Sequence, residues 1–81
     1  MEPLDGNAIA GSLMEHFGTE MTVAVGACEH CGAIQLIAEL RVYPRAPGTV
    51  VRCRACGNVV IVLIERQDGL RVDFAAFRLN G

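Results

Sequence analysis

The residues able to do chemistry in this chain fall into one pattern: Cys28-Glu29-His30-Cys31-Gly32, then Cys53-Arg54-Ala55-Cys56-Gly57. The two C-x-x-C-G stretches hold all four cysteines and are separated by 21 residues, Gly32 through Arg52. Two residues between cysteines let both sulfurs of a turn point at one centre while the intervening amides curl around them. The glycine that follows suits a left-handed backbone position that a side chain would resist. Two such turns facing each other complete a tetrahedral S4 set, which suits zinc. The set is closed and leaves no position for a substrate water, so the expected ion is structural rather than catalytic. Cys28, Cys31, Cys53 and Cys56 are therefore the expected metal ligands. Iron is the chemical alternative, because tetrahedral thiolate suits it too. A disulfide pairing is the third arrangement. A thioredoxin-like redox couple needs a single C-x-x-C opening a helix, and neither motif opens a helical pattern.

The remaining candidates are sparser. His30 lies between two cysteines and reads as a solvent-facing knuckle residue. His16 reads as a surface histidine beside Phe17. Neither has a Ser, Asp or Cys at a spacing that suggests a catalytic set, and the chain reads as a non-enzyme. Arg41, Arg45, Arg52 and Arg54 flank the knuckles, where a ribbon can contact nucleic acid or protein. Only Tyr43, on the polar phase of its strand, is placed to stack on a base.

Composition limits what these residues can serve. Eighty-one residues make one small domain with a modest core, and such scaffolds commonly need a staple. The acidic start Met1-Glu2-Pro3-Leu4-Asp5 carries no basic or apolar leader. The longest apolar run, Val59 to Ile64, is far short of the roughly 20 residues that a bilayer helix needs. A cytoplasmic protein with no membrane association is expected, and a reducing compartment favours metal over disulfide. The formal charge is −2, but the first forty residues hold six acids and no base, and the rest hold seven arginines and three acids. Lysine is absent. The acidic balance weakens sequence-independent phosphate binding.

The elements that must position the cysteines follow from periodicity. A helix is expected over about 4–17, with Asp5 as N-cap, Gly18 as stop, and a buried stripe of Ile9, Leu13, Met14 and Phe17. Strands are expected over about 21–27, 33–43, 49–53, 58–66 and 70–79. In the second of these, Ile34, Leu36, Ala38, Leu40 and Val42 form the apolar phase, with Gln35 and Ile37 on the other side. Pro47-Gly48 fits a type II turn and Asp68-Gly69 a hairpin. Val59 to Ile64 is apolar in both phases, so both of its faces should be covered. The pattern of the last strand slips at Ala75-Ala76, where a bulge would restore it. The fold class is small α+β: an antiparallel zinc-ribbon sheet of about four or five strands with one N-terminal helix, spanning 1–81.

The stretches LDGNAIAGSL, FGTEMTVAVGACEHCG and VYPRAPGTVVRCRACGNVV resemble a family of short bacterial zinc-ribbon proteins, a domain of unknown function. The resemblance covers nearly the whole chain and is loosest in the last strand. It implies a zinc-ribbon fold with a short N-terminal helix, and it carries Cys28, Cys31, Cys53 and Cys56 over as metal ligands. It brings no activity with it. The expected function is a zinc-stabilised, non-catalytic module that binds a protein partner or a second copy of itself. The alternative is nucleic-acid binding through the arginine-rich second half. No small-molecule substrate is evident.

Overall fold

The structure, a computed structural model, describes residues 4–45 and 48–79. The Pro47-Gly48 turn expected from the sequence lies outside the described residues. Strand β1 (Leu4–Asp5) opens the chain, a 3-10 turn follows over Gly6–Ile9, and helix α1 spans Ala10–Phe17. The first hairpin is β2 (Val25–Cys28) and β3 (Ile34–Leu36), followed by a 3-10 turn over Ile37–Glu39. Then come β4 (Arg41–Arg45), β5 (Gly48–Arg52), β6 (Val59–Arg66), β7 (Gly69–Asp73) and β8 (Phe77–Leu79). The strands form two antiparallel sheets, one ordered β1-β4-β5-β6-β7 and one ordered β3-β2-β8. The class is small α+β with an N-terminal helix, and the single expected sheet is divided into two.

The helical turns begin later than the apolar spacing suggests. Leu4 and Asp5 pair with Val42 and Arg41 of β4, so the chain is extended where a first helical turn is expected. Asp5 still caps, accepting from the Asn7 amide at 3.0 Å, but what it caps is the 3-10 turn. That turn is tight because Gly6 lies against the next one: a Cβ on Gly6 would overlap the carbonyl oxygen of Ile37. Gly18 ends α1 in the left-handed conformation and donates its N–H to Met14 O at 2.7 Å. A helix of eight residues buries little, and Leu13 is its buried residue, with Ile9 just ahead of it. Met14 and Phe17, expected as core anchors, are 42% and 39% exposed. Phe17 packs at the rim on Phe74, with ring centroids 5.9 Å apart.

The long alternation from Ile34 to Val42 is not one strand. β3 belongs to the three-stranded sheet and β4 to the five-stranded one, and the 3-10 turn between them carries the chain across. Glu39 holds that turn by accepting from the Leu36 amide at 2.7 Å. The crossing flips the phase: Ile34 is 67% exposed, while Gln35 and Ile37, assigned outward by the alternation, are buried. The strand expected from residue 21 starts only at Val25. Ahead of it a turn is tied by Glu20, whose carboxylate accepts from the Thr22 amide and hydroxyl.

The slip at Ala75-Ala76 also marks a change of sheet rather than a bulge. The chain leaves β6 after Asp73 and joins β2 at Phe77. Ala76 stitches the sheets, donating its N–H to Val60 O at 3.0 Å and accepting from the Glu29 amide at 2.8 Å. The hairpin before it turns through Gln67-Asp68, with Arg66 opposite Gly69. In β6, Val60, Ile61 and Leu63 are buried but Ile64 is 38% exposed, so one face is covered and the other only in part. One core joins Ile9 and Leu13 to Leu40, Val42, Val51, Ile61 and Phe77. Among the described residues no helix is long and apolar enough to cross a membrane.

Two glycines in the same N-terminal segment should behave oppositely. Gly6→Ala, which forces a methyl group into backbone, is expected to destabilise by on the order of 2–3 kcal/mol. Gly11→Ala, in the helix with open space around it, should stabilise by up to about 1 kcal/mol. Urea midpoints of the two variants check this, and equal effects would contradict the packing described.

Candidate metal centre

Each cysteine pair sits on a hairpin, and the two hairpins come from different sheets. Cys28 ends β2, and its turn leads into β3; Cys53 follows β5, and its turn leads into β6. The two turns repeat one backbone pattern. Cys28 donates its N–H to Ala33 O at 3.0 Å and accepts from Gly32 N–H at 2.8 Å. Cys53 donates to Asn58 O at 2.9 Å and accepts from Gly57 N–H at 3.0 Å. Gly32 and Gly57 have φ of 81° and 79°, the left-handed conformation that the motif requires of them. Convergence of the sulfurs is thus written twice, locally, in C-x-x-C-G.

The four Sγ atoms lie within 4.8 Å of one another. Cys28 Sγ is 3.7 Å from Cys56 Sγ, and Cys31 Sγ is 3.7 Å from Cys53 Sγ, so the close pairs bridge the two knuckles. A tetrahedron with metal–sulfur bonds of about 2.3 Å has edges of about 3.8 Å. The donor set and its spacing therefore fit a tetrahedral metal ion, and all four predicted ligands are brought together. The first cysteine of each motif is buried and the second exposed, so the centre lies at the surface with one side against the core.

Donors surround the sulfurs. Ala55 N–H donates to Cys53 Sγ at 3.3 Å, Gln35 Nε2 to the same sulfur at 3.3 Å, and Asn58 Nδ2 to Cys56 Sγ at 3.4 Å. Burial raises the Cys53 thiol, but the Cys56 amide, Gln35, the Ala55 amide and Cys31 together bring it down to about 6. The Asn58 amide and side chain lower Cys56. At Cys31 the Ala33 amide acts to lower the thiol, yet desolvation and the three neighbouring sulfurs prevail and push it up to about 12. A metal ion that binds these sulfurs must displace the protons that the thiols hold.

Gln35 and Asn58 are the site residues that the sequence reading missed. The alternation of Ile34 to Val42 as one strand puts Gln35 on the outward phase; it is 7% exposed, and its Oε1 accepts from the Arg54 amide. Asn58 directly follows C-x-x-C-G, and that adjacency was the available signal. The histidines stay outside the cluster: His30 is exposed, and His16 stands edge-on to Phe17. Arg52 donates to Gly57 O at 2.8 Å and lies 5.7 Å from the Tyr43 ring centroid. Arg54 pairs with Glu39 at 3.4 Å, both exposed, a contact of small worth. Arg41 is exposed, and the Arg45 side chain lies outside the described residues.

Two outcomes follow for metal affinity. It should fall as pH falls from 8, because binding releases thiol protons, and fall more steeply below about 6, where Cys53 also takes one up. Gln35→Met, which removes a donor from Cys53 Sγ while keeping the volume, should weaken affinity roughly 10–100-fold at unchanged stoichiometry. Competition titrations against a chromophoric chelator measure both; a flat pH profile would contradict the first, and an unchanged affinity the second.

Comparison with known proteins gives a family and no function. No curated protein and no solved structure matches the chain. Residues 1–80 match a family of unknown function, DUF6510. With all but the last residue matched, and with four cysteines placed to bind a metal, the chain belongs to the family of unknown function DUF6510.

Proposed function

We propose that the four cysteines hold one structural zinc ion and that the chain is a non-catalytic module that binds a protein partner. The observation that carries this reading is the set of four sulfurs within 4.8 Å, two of its pairs at tetrahedral-edge spacing, with protein donors already aimed at the sulfurs. A centre with four protein ligands polarises no water, so its contribution is folding energy. Structural zinc supplies on the order of 10 kcal/mol in apparent terms, comparable to the stability of an ordinary domain. The net charge of −2 supports a protein rather than a nucleic acid as partner, because an acidic balance weakens sequence-independent phosphate binding.

Metal analysis with native mass spectrometry on the purified protein tests this. One zinc per chain is expected, with the four thiols protected from iodoacetamide while the metal is bound. Iron at full occupancy would overturn the choice of ion. A thiol that alkylates with metal retained would overturn the closed structural role.

A further inference from the structure

The five-stranded sheet has two faces, and its register sorts the residues between them. Side chains alternate along each strand. Val42, Val51, Ile61 and Leu63 share the buried phase. Leu70 follows that phase through its place opposite Glu65, and with Leu63 it lines a cavity of about 110 Å³ beneath Ile9 and Ser12. This is the helix side. The other phase runs in cross-strand rows. Arg41 stands opposite Arg52 in one row; Tyr43, Val50, Val62 and Asp73 follow one another in the next. Ile64 stands opposite Arg71 in the third. None of these residues is buried, although Val60, in phase with Val62 and Ile64, is covered where Ala76 meets it.

This face has a composition that the chain as a whole does not. Its centre is apolar: Tyr43, Val50 and Val62 are half-buried and Ile64 is exposed. Arginines bound that centre at both ends, Arg41 and Arg52 on one side and Arg71 on the other. Two acids share this phase among the described residues, Asp73 and Asp5 of β1, which stands opposite Arg41; Arg66, in phase with Ile64, adds a further arginine. A net positive face thus sits on a chain of net charge −2. Apolar and aromatic residues ringed by arginine are the composition of protein interfaces, where lysine is depleted. The planar guanidinium fork pairs with carboxylates in two parallel hydrogen bonds.

From this we infer that the outward face of β4–β7 is a docking surface for an acidic protein partner, one that sets apolar side chains on Tyr43, Val50, Val62 and Ile64 and carboxylates on the flanking arginines. The inference rests on the interaction-module reading and names its surface and partner chemistry. Single-stranded nucleic acid fits less well, because base stacking needs open aromatic rings. The one ring on this face lies beneath Arg52, Phe77 is buried, and Phe17 packs on Phe74 at the helix rim.

The test uses the full metal-loaded chain, isotope-labelled for amide spectra, and three probes: a peptide alternating leucine and glutamate, its leucine–lysine counterpart, and an oligothymidylate. The expected result is that the acidic peptide alone shifts amides of β4–β7, with affinity that weakens as salt rises. Arg41→Glu combined with Arg71→Glu should lower that affinity by at least about tenfold with metal content unchanged. Ile64→Ser should lower it without altering the salt dependence. Shifts confined to the knuckles or the helix, no binding by the acidic peptide, or preferred binding of oligothymidylate at this face would each overturn the inference. Such a failure in a protein carrying one zinc per chain leaves the metal reading standing, whereas a chain without zinc strikes at that reading itself.

Discussion

Four sulfur atoms on hairpins of two different sheets must meet within 4.8 Å, with two cross-knuckle pairs at 3.7 Å, and the rest of the structure is arranged so that they do. The constraint is severe because a small chain has only a modest core to hold its sheets together. The close pairs, Cys28 with Cys56 and Cys31 with Cys53, each join one knuckle to the other. A tetrahedral ion at this point would fix β2 and β3 against β5 and β6. The sheets are also linked by the core they share, in which Phe77 of β8 joins Val42, Val51 and Ile61, by the hydrogen bonds of Ala76 and Gln35, and by the 3-10 turn over Ile37–Glu39. The thiols' proton affinities express the same constraint. Crowded sulfurs cannot all be charged without a cation among them, so Cys31 keeps its proton while Cys53 and Cys56 are eased toward thiolate.

What was legible in the sequence is what is determined locally. The cysteine ligand set, the left-handed Gly32 and Gly57, the Asp5 cap and the Gly18 stop each depend on a few adjacent residues. What was not legible depends on which sheet a strand joins. Ile34 to Val42 alternates well enough for one strand, and nothing local says that the chain must turn at Ile37 to change sheets. The turn reverses the phase, buries Gln35 beside Cys53 and exposes Ile34. The slip at Ala75-Ala76 was visible, but a bulge and a change of sheet leave the same trace in the pattern. Met14 and Phe17 have helical spacing, but the cover they meet is incomplete: both stay exposed, Phe17 with Phe74 beside it at the rim.

These features divide the molecule into a fastener and a surface. The cysteine centre is closed, ringed by its own donors and flanked by arginines already engaged with Gly57 and Glu39. The outward face of the five-stranded sheet is open, apolar at its centre and positive at its ends. In the proposed reading the metal makes the sheet rigid enough to present that face, and the chemistry of recognition belongs to Tyr43, Val62, Ile64 and the arginines around them.

The central claim, that the four-sulfur centre holds both sheets, is tested most directly by hydrogen exchange with the metal bound and after its verified removal by a chelator. The account predicts that amide protection in β2–β3 and in β4–β7 is lost together when the metal leaves. Retention of full protection in the five-stranded sheet of the metal-free protein would contradict it.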